Sequence, residues 1–211
     1  MKLAVATTAV LTAVGLPLAY ALAQGRWPGK SVVEAAVALP LVLPPTVVGF
    51  YLLVASGPHS PLGRGYTALT GSQLPFTFAG ILLASVVVNL PFAVRPFTAA
   101  LEAVDRRLLE AAWCLGESRW RTFWRVTLPL SWPGILAGMV LTFAHTIGEF
   151  GVVLMVGGNI PGVTRTLSIA IYDDVQKLDY RTAGQTAAVL VLLAVALLAS
   201  VQALTRRRLP V

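Results

Sequence analysis

Long apolar blocks alternate with short polar connections along the whole chain. Five blocks are each about 20 residues long, which is the length that an α-helix needs to cross a bilayer. Apolar residues fill complete turns in these blocks, so each helix is apolar on all sides. The pattern predicts an all-α polytopic membrane protein with a single domain over residues 1–211. The five predicted spanning helices lie at about 3–23, 32–54, 76–97, 130–156 and 183–204.

Composition supports a lipid-embedded protein. Hydrophobic residues make up 56% of the chain and charged residues only 12%, whereas soluble domains carry about 25% charged residues. The mean hydropathy is +0.77. One cysteine, Cys114, and two histidines argue against a disulfide or a thiolate metal site, so no metal is expected. The net charge is +7, but the basic residues flank apolar blocks, which favours a bilayer over nucleic acid as the partner.

Basic residues predict the orientation of the helices. Arg26 and Lys30 lie in the connection 25–31, and five arginines lie in the loop 98–127. The tail carries Arg206, Arg207 and Arg208. By the positive-inside rule these three regions are cytoplasmic. Five crossings then give an external N-terminus and a cytoplasmic C-terminus, with the mixed-charge loop 157–182 outside.

The first apolar block also resembles a secretory signal. It follows Lys2 and ends in Ala21-Leu22-Ala23, which resembles a cleavage site. However, it exceeds the usual apolar length of about 7–15 residues, and two basic residues follow it closely. We expect a retained helix, with cleavage as the alternative.

The loop 98–129 predicts two short helices. Apolar residues recur at helical spacing from Leu101 through Leu108 to Leu115. Gly116 is suited to end that helix, and Ser118 to cap the next one. Pro129 falls near the start of the following span, where its missing N–H is harmless. An alternative from spacing alone is an amphipathic helix that lies on lipid headgroups.

A spaced motif in this loop resembles a known signature. Glu110-Ala111-Ala112, Gly116, Val126 and Leu128-Pro129 match the spacing found in binding-protein-dependent ABC importer permeases, with Val126 where isoleucine is common. The resemblance implies a coupling helix that docks on an ATP-binding subunit. The coupling residues it indicates are Glu110, Ala111, Ala112, Gly116, Arg119, Trp120, Leu128 and Pro129.

Further blocks are similar to the molybdate branch of that family. They are 39–49, Gly148–Gly151, Gly158–Gly162 and Thr164–Leu167. The sulfate branch is similar around 148–151 and 159–161, and tungstate has the size and charge of molybdate. The resemblance implies an oxyanion importer in a prokaryotic plasma (inner) membrane. It also implies a homodimer, two ATP-binding subunits that hold ATP-Mg, an extracytoplasmic oxyanion-binding protein, and no cofactor on this chain.

The fourth block carries a polar face. Thr142, His145, Thr146 and Glu149 fall at i, i+3, i+4 and i+7. Ionisable groups in a span usually face a water path or the bundle interior, so these residues are candidates for lining the pathway. The alternative is hydrogen bonding within the bundle, or a salt bridge from Glu149 to Arg165. At 1.5 Å per residue, Glu149 is expected about 27 Å from the start of the span, near the outer interface.

Other candidates interrupt or join helices. Pro44 and Pro45 must break the second span, either beside the pathway or only for packing, and Asn159 is a further pathway candidate. Asn89 is expected to hydrogen-bond between helices. Gly134 and Gly138 form a Gly-x-x-x-Gly pair, which permits close helix approach within the chain or across a dimer.

Several functional classes are disfavoured. The chain has no Gly-x-x-x-x-Gly-Lys-Ser/Thr phosphate loop, so ATP hydrolysis is expected in a partner. We identify no catalytic residues, which argues against a membrane enzyme. A transporter outside the ABC class usually shows internal repeats of several helices, which five helices do not readily provide.

Overall fold

The described part of the chain is helical. The computed structural model describes residues 1–25 and 27–206, and side chains up to residue 200. Arg26, Arg207 and Arg208, on which the predicted orientation partly depends, lie outside these residues. The helices are α1 Lys2–Gln24, α2 Lys30–Val42, α3 Pro45–Ser56, α4 Pro61–Thr70, α5 Phe78–Glu102, α6 Arg106–Cys114, α7 Arg119–Thr122, α8 Leu128–Gly148, α9 Gly151–Gly157, α10 Leu167–Gln176 and α11 Tyr180–Arg206. A π-helical turn, Phe123–Thr127, joins α7 to α8.

Four helical stretches in this described part are long and apolar enough to cross a membrane. They are α1, α5, the continuous stretch Arg119–Gly148, and α11 over Tyr180–Ser200. A fifth span exists if the bent pair α2 and α3 is counted as one. The predicted all-α membrane architecture is therefore confirmed.

The second span is broken at its prolines, as predicted. Leu43 has extended backbone, and α3 begins at Pro45. The axes of α2 and α3 differ by 114°. Because proline has no backbone N–H and clashes with the preceding turn, the helix cannot continue regularly through this pair. The span predicted over 32–54 therefore consists of two helices, α2 and α3.

The fourth span also differs from the predicted single helix over 130–156. Its helix starts at Arg119, because the Ser118 side chain caps α7 and the wider π-helical turn carries the backbone past Pro129. It stops at Gly148, where Glu149 has extended backbone and a separate short helix, α9, follows. The span is thus a long rod followed by a break.

The third span extends farther into the following loop than predicted. The prediction 76–97 stops five residues short of the end of α5 at Glu102. The Asp105 side chain accepts a hydrogen bond from the backbone N–H of Arg107 at 2.9 Å and so starts α6. A single helix from Leu101 to Leu115 is therefore wrong.

Helix α5 lies at the centre, between α1 and α8. Leu11 of α1, Phe97 of α5 and Ile135 of α8 belong to one core cluster and are fully buried. Gly134 and Gly138 of α8 face α5: a Cβ on Gly138 would lie 2.8 Å from the Phe97 ring. The Gly-x-x-x-Gly pair therefore packs inside the chain.

Gly138→Val tests this close packing. The added side chain meets the Phe97 ring, so we expect a loss of about 1–3 kcal/mol in stability, measured as a lower melting temperature in detergent. Gly184→Val on α11 is the matched control, because a Cβ there meets nothing within 4 Å. Equal melting temperatures for the two variants would contradict the close packing of α5 and α8.

Candidate functional site

The predicted two-helix loop is present. Helix α6 ends at Cys114, Gly116 has a φ of +81°, and the Ser118 side chain accepts a hydrogen bond from the backbone N–H of Arg121. The left-handed conformation at Gly116 is one that other L-residues rarely adopt. Gly116 therefore separates α6 from α7, as the sequence predicts.

The apolar residues of α6 divide between two faces. Leu109 and Ala112 are buried within the chain, whereas Leu108 and Ala111 are exposed. Leu115, just after the helix, is 85% exposed. Of the paired alanines, only Ala111 is therefore available to a partner, because Ala112 packs inside.

Charged side chains hold the loop together. Glu110 pairs with Arg106 at 3.1 Å. Glu117 forms ion pairs with Arg121 at 3.2 Å and Arg125 at 3.0 Å, which connect the start of α7 to the π-helical turn. Each pair is largely exposed, so its contribution to stability is small, but together the pairs orient the loop.

Aromatic residues cover the other side of the loop. The Arg119 guanidinium lies 5.9 Å from the centre of the Trp113 ring. Trp120 and Trp124 pack edge to face at 5.6 Å and are both more than half exposed. Leu128 packs against the core cluster, and Pro129 lies in the first turn of α8.

The two broken spans meet inside the bundle. A Cβ on Gly151, at the start of α9, would lie 3.1 Å from the Pro45 side chain at the start of α3. Farther along, a Cβ on Gly49 of α3 would lie 2.8 Å from Met155 of α9. Helices α3 and α9 therefore pack closely, and both begin at a break at the same depth.

A polar cluster joins α8 to α5 beside these breaks. Asn89 donates through Nδ2 to the Ser85 carbonyl oxygen at 2.8 Å, so its Oδ1 is an acceptor. The Nδ1 of His145 lies 2.9 Å from that oxygen and is the donor. The imidazole also stacks on Phe92, with ring centres 3.8 Å apart. The predicted interhelical role of Asn89 is confirmed.

The threonines of the predicted polar face point into the protein. Thr142 and Thr146 are buried, and their hydroxyls donate to carbonyl oxygens one turn earlier in α8. Thr146 also lines a cavity of about 730 Å³, together with Leu3, Ile81 and residues 162–167. His145 is partly exposed, and its Nδ1 lies 3.7 Å from Oε2 of the buried Glu149 carboxylate.

The contact between α8 and α5 places Glu149 along the bundle. His145, one turn before it, contacts Asn89, which lies 11 residues after Phe78 and 13 before Glu102, the two ends of α5. Asn89 is roughly 16 Å from the Phe78 end of α5, and Glu149, one turn farther along α8, is roughly 10 Å from it at 1.5 Å per residue. The position of Glu149 near the outer interface stays a prediction.

The loop 157–182 has its own polar cluster. Arg165 pairs with Asp173, and Asn159 donates to the same carboxylate at 2.6 Å. The suggested salt bridge between Arg165 and Glu149 is therefore wrong. The Asn159 hydrogen bond and the Arg165 guanidinium hold the pKa of Asp173 below its usual range. Asn159 thus serves a loop contact in this conformation.

The sequence did not predict the hydrogen bonds of two hydroxyl groups in this region. The Thr164 hydroxyl donates to the Gly157 carbonyl oxygen at 2.7 Å and accepts from the backbone N–H of Ile160, which closes the loop after α9. Ser168 donates to the Ile147 carbonyl oxygen at 2.9 Å, which ties α10 to the end of α8. Single hydroxyl groups give no recognisable sequence pattern.

Comparisons with known proteins agree with this architecture. Residues 13–210 match the family described as binding-protein-dependent transport system inner membrane component. The chain is 50% identical to the molybdenum transport system permease protein ModB of Azotobacter vinelandii, over 91% of this chain and 85% of that one. The ModB of Escherichia coli K12 is 42% identical, over 83% and 78%. The crystal structure of a bacterial ABC transporter that imports alginate is similar in fold, with a TM-score of 0.75, 18% identity, and coverage of 100% and 79%.

Asp173→Asn tests the cluster of Asn159, Arg165 and Asp173 through the pH dependence of stability. Because the folded state lowers the pKa of Asp173, its contribution to stability is complete above the ordinary value of about 3.9 and is lost as the pH falls through the lowered value. We expect a lower melting temperature for the variant at pH 7, and a gap from the unsubstituted protein that closes in acid. Asp174→Asn is the control, since that side chain makes no ion pair with the described residues. A gap that stays constant with pH would contradict the assignment.

Proposed function

Because the chain belongs to the family of binding-protein-dependent transport system inner membrane components, we propose that it is the membrane subunit of an ATP-driven importer of molybdate. The observation that carries the substrate is its similarity to molybdenum permeases over most of the chain. Tungstate has the same charge and size, so the same importer is expected to carry it.

The partners follow from surfaces that the chain leaves uncovered. Leu108, Leu115 and Trp120 are exposed on a loop that the basic residues assign to the cytoplasm. Such apolar side chains beside water favour a protein partner. In our proposal that partner is an ATP-binding subunit, with two copies serving a homodimer of this chain. An extracytoplasmic oxyanion-binding protein delivers the substrate, and the C-terminus is cytoplasmic.

The loop connects directly to the interior. The stretch Arg119–Gly148 is one continuous helical rod of 30 residues, which is about 45 Å long. A displacement of the loop therefore reaches His145 without an intervening flexible segment. When ATP closes the ATPase pair, the rod transmits the movement, and the bundle switches from inward-open to outward-open.

The two breaks supply the places where the bundle bends. Pro44–Pro45 and Glu149–Phe150 interrupt neighbouring spans at one depth. Broken helices inside a membrane are tolerated where they line a cavity or pack on protein. We assign Glu149 to the gate and not to substrate recognition, because a carboxylate repels a dianion. Selection of the anion is then left to the binding protein.

Uptake measurements test the proposed substrate. The chain is expressed together with its ATPase and binding protein in cells that lack their own molybdate uptake, and labelled molybdate is counted. We expect ATP-dependent accumulation that excess tungstate inhibits and equal sulfate does not. Inhibition by sulfate alone would assign the chain to the sulfate-type importers, and no accumulation would reject the oxyanion proposal.

Gly116→Pro tests the coupling loop. Proline cannot adopt a φ of +81°, so the loop must leave α6 in another direction. A loss of about 1–2 kcal/mol in docking free energy weakens the binding of the ATPase about tenfold or more. We expect the variant to insert in the membrane but to lose bound ATPase and uptake together. Gly71→Pro is the matched control, because Gly71 also has a positive φ, of +71°, but ends α4. Retention of the ATPase by both variants would contradict the docking role.

A further inference from the structure

Helix α5 has one narrow uncovered face. The helix is surrounded by α1, α2, α8 and α9, and between residues 79 and 101 its only exposed residues are Arg95 and Ala99. Phe92, one turn before Arg95, is partly exposed on the same side. The most enclosed helix of the bundle therefore presents a cation where the others do not cover it.

Arg95 has no counter-charge in the described part of the chain. It forms none of the ion pairs found there. The nearest acid along the same face is Glu102, seven residues away, which is about 10 Å along the helix axis. An unpaired charge inside a span is costly in lipid and usually faces water.

The exposed faces of the other spans are different in kind. Their exposed large side chains in the middle of the helices are apolar, as expected for contact with lipid or another apolar surface. Examples are Val10 and Val14 of α1, Phe50 and Val54 of α3, and Val191, Leu192 and Val195 of α11. The Arg95 face is thus set apart from the apolar exterior.

His145 of α8 adjoins this face. Its ring stacks on Phe92, and Phe92 and Arg95 are three residues apart on α5, about 4.5 Å in rise. The Nδ1 of His145 donates to Asn89, so the Nε2 of the neutral ring is an acceptor and offers no N–H to an anion. The Arg95 guanidinium is therefore the donor of this face, one helical turn from the Phe92 ring on which His145 stacks.

We propose that Arg95, with the stacked rings of Phe92 and His145 on the same face, forms an oxyanion-contact strip, in which the guanidinium is the group that a tetrahedral dianion touches while it crosses the membrane. The inference rests on the proposed function and adds the residues that meet the substrate. A guanidinium offers several N–H donors in a plane, which suits oxyanion oxygens. Because the strip is open and has a single full charge, the contact is brief and does not trap the anion.

Two carboxylates limit the strip. Glu149 lies 3.7 Å from the Nδ1 of His145, and Glu102 ends α5 on the other side. Both repel a dianion, so the anion contacts the strip only between them. This arrangement favours passage over storage.

Kinetics of uptake test the strip. In the complete transporter, Arg95→Met keeps the length and apolar stem of the side chain and removes the charge. We expect the maximal rate of molybdate uptake to fall about tenfold or more, as for loss of a charge-assisted hydrogen bond. The KM stays unchanged because the binding protein sets it, and Arg95→Lys retains most of the rate. If Arg95 only extends to the lipid headgroups, Arg95→Met transports at the original rate, and the proposal is overturned.

Thiol labelling gives a second readout that does not depend on transport. In a Cys114→Ser background, which removes the single native thiol, Arg95→Cys is compared with Leu192→Cys on the exposed face of α11. In nanodiscs, we expect a charged methanethiosulfonate reagent to modify position 95 and not position 192, and molybdate to slow the modification several-fold. Equal reactivity of the two positions, or no effect of molybdate, contradicts the strip.

These outcomes separate the strip from the proposed function. If the unsubstituted transporter does not accumulate molybdate, the proposed function fails, whatever position 95 does. If it accumulates molybdate and Arg95→Met does so equally well, only the strip fails.

Discussion

The close packing of α8 on α5 is the constraint on which the rest of the structure depends. Gly134 and Gly138 bring α8 so near to α5 that even one added carbon would collide with Ala100 or Phe97. Farther along the same contact, His145 reaches Asn89 and stacks on Phe92. Without a hydrophobic driving force between helices in lipid, such steric fit and interhelical hydrogen bonding hold the bundle together.

Continuous and interrupted helical segments alternate along the chain. The stretch Arg119–Gly148 is continuous, whereas the helices are interrupted at Pro44 and again at Glu149. Because α3 and α9 pack on each other beyond the breaks, they form one outer unit. The proposed transport cycle uses this division, since the stiff segment carries movement inward from the loop and the breaks allow the outer unit to respond.

Much of this architecture is predictable from local sequence rules. The spans follow from apolar length, and the loop follows from the glycine at 116 and the serine at 118, because each acts on its own backbone. The prolines at 44 and 45 act in the same way. The motif from Glu110 to Pro129 is recognisable because its residues lie within a short stretch of chain with a fixed spacing.

What the sequence could not supply depends on contacts between distant segments. No proline marks the break at Glu149, which lies where α9 packs on α3. Ala111 and Ala112 are equivalent in sequence, and only the packing of α6 buries one of them. The sequence offers Arg165 several acidic residues as ion-pair partners, and the folded loop 157–182 pairs it with Asp173.

The most direct test of this account is the number of molybdate ions imported per ATP hydrolysed in proteoliposomes carrying Val126→Pro. Val126 lies in the π-helical turn between the loop and α8, and proline there removes a backbone N–H and interrupts the rod. Val126→Ala is the comparison, because it shortens the side chain but keeps the helix. The account predicts that Val126→Pro retains its ATPase and hydrolyses ATP while the transport ratio collapses, and that Val126→Ala keeps the ratio. An unchanged ratio in Val126→Pro would contradict transmission through the rod.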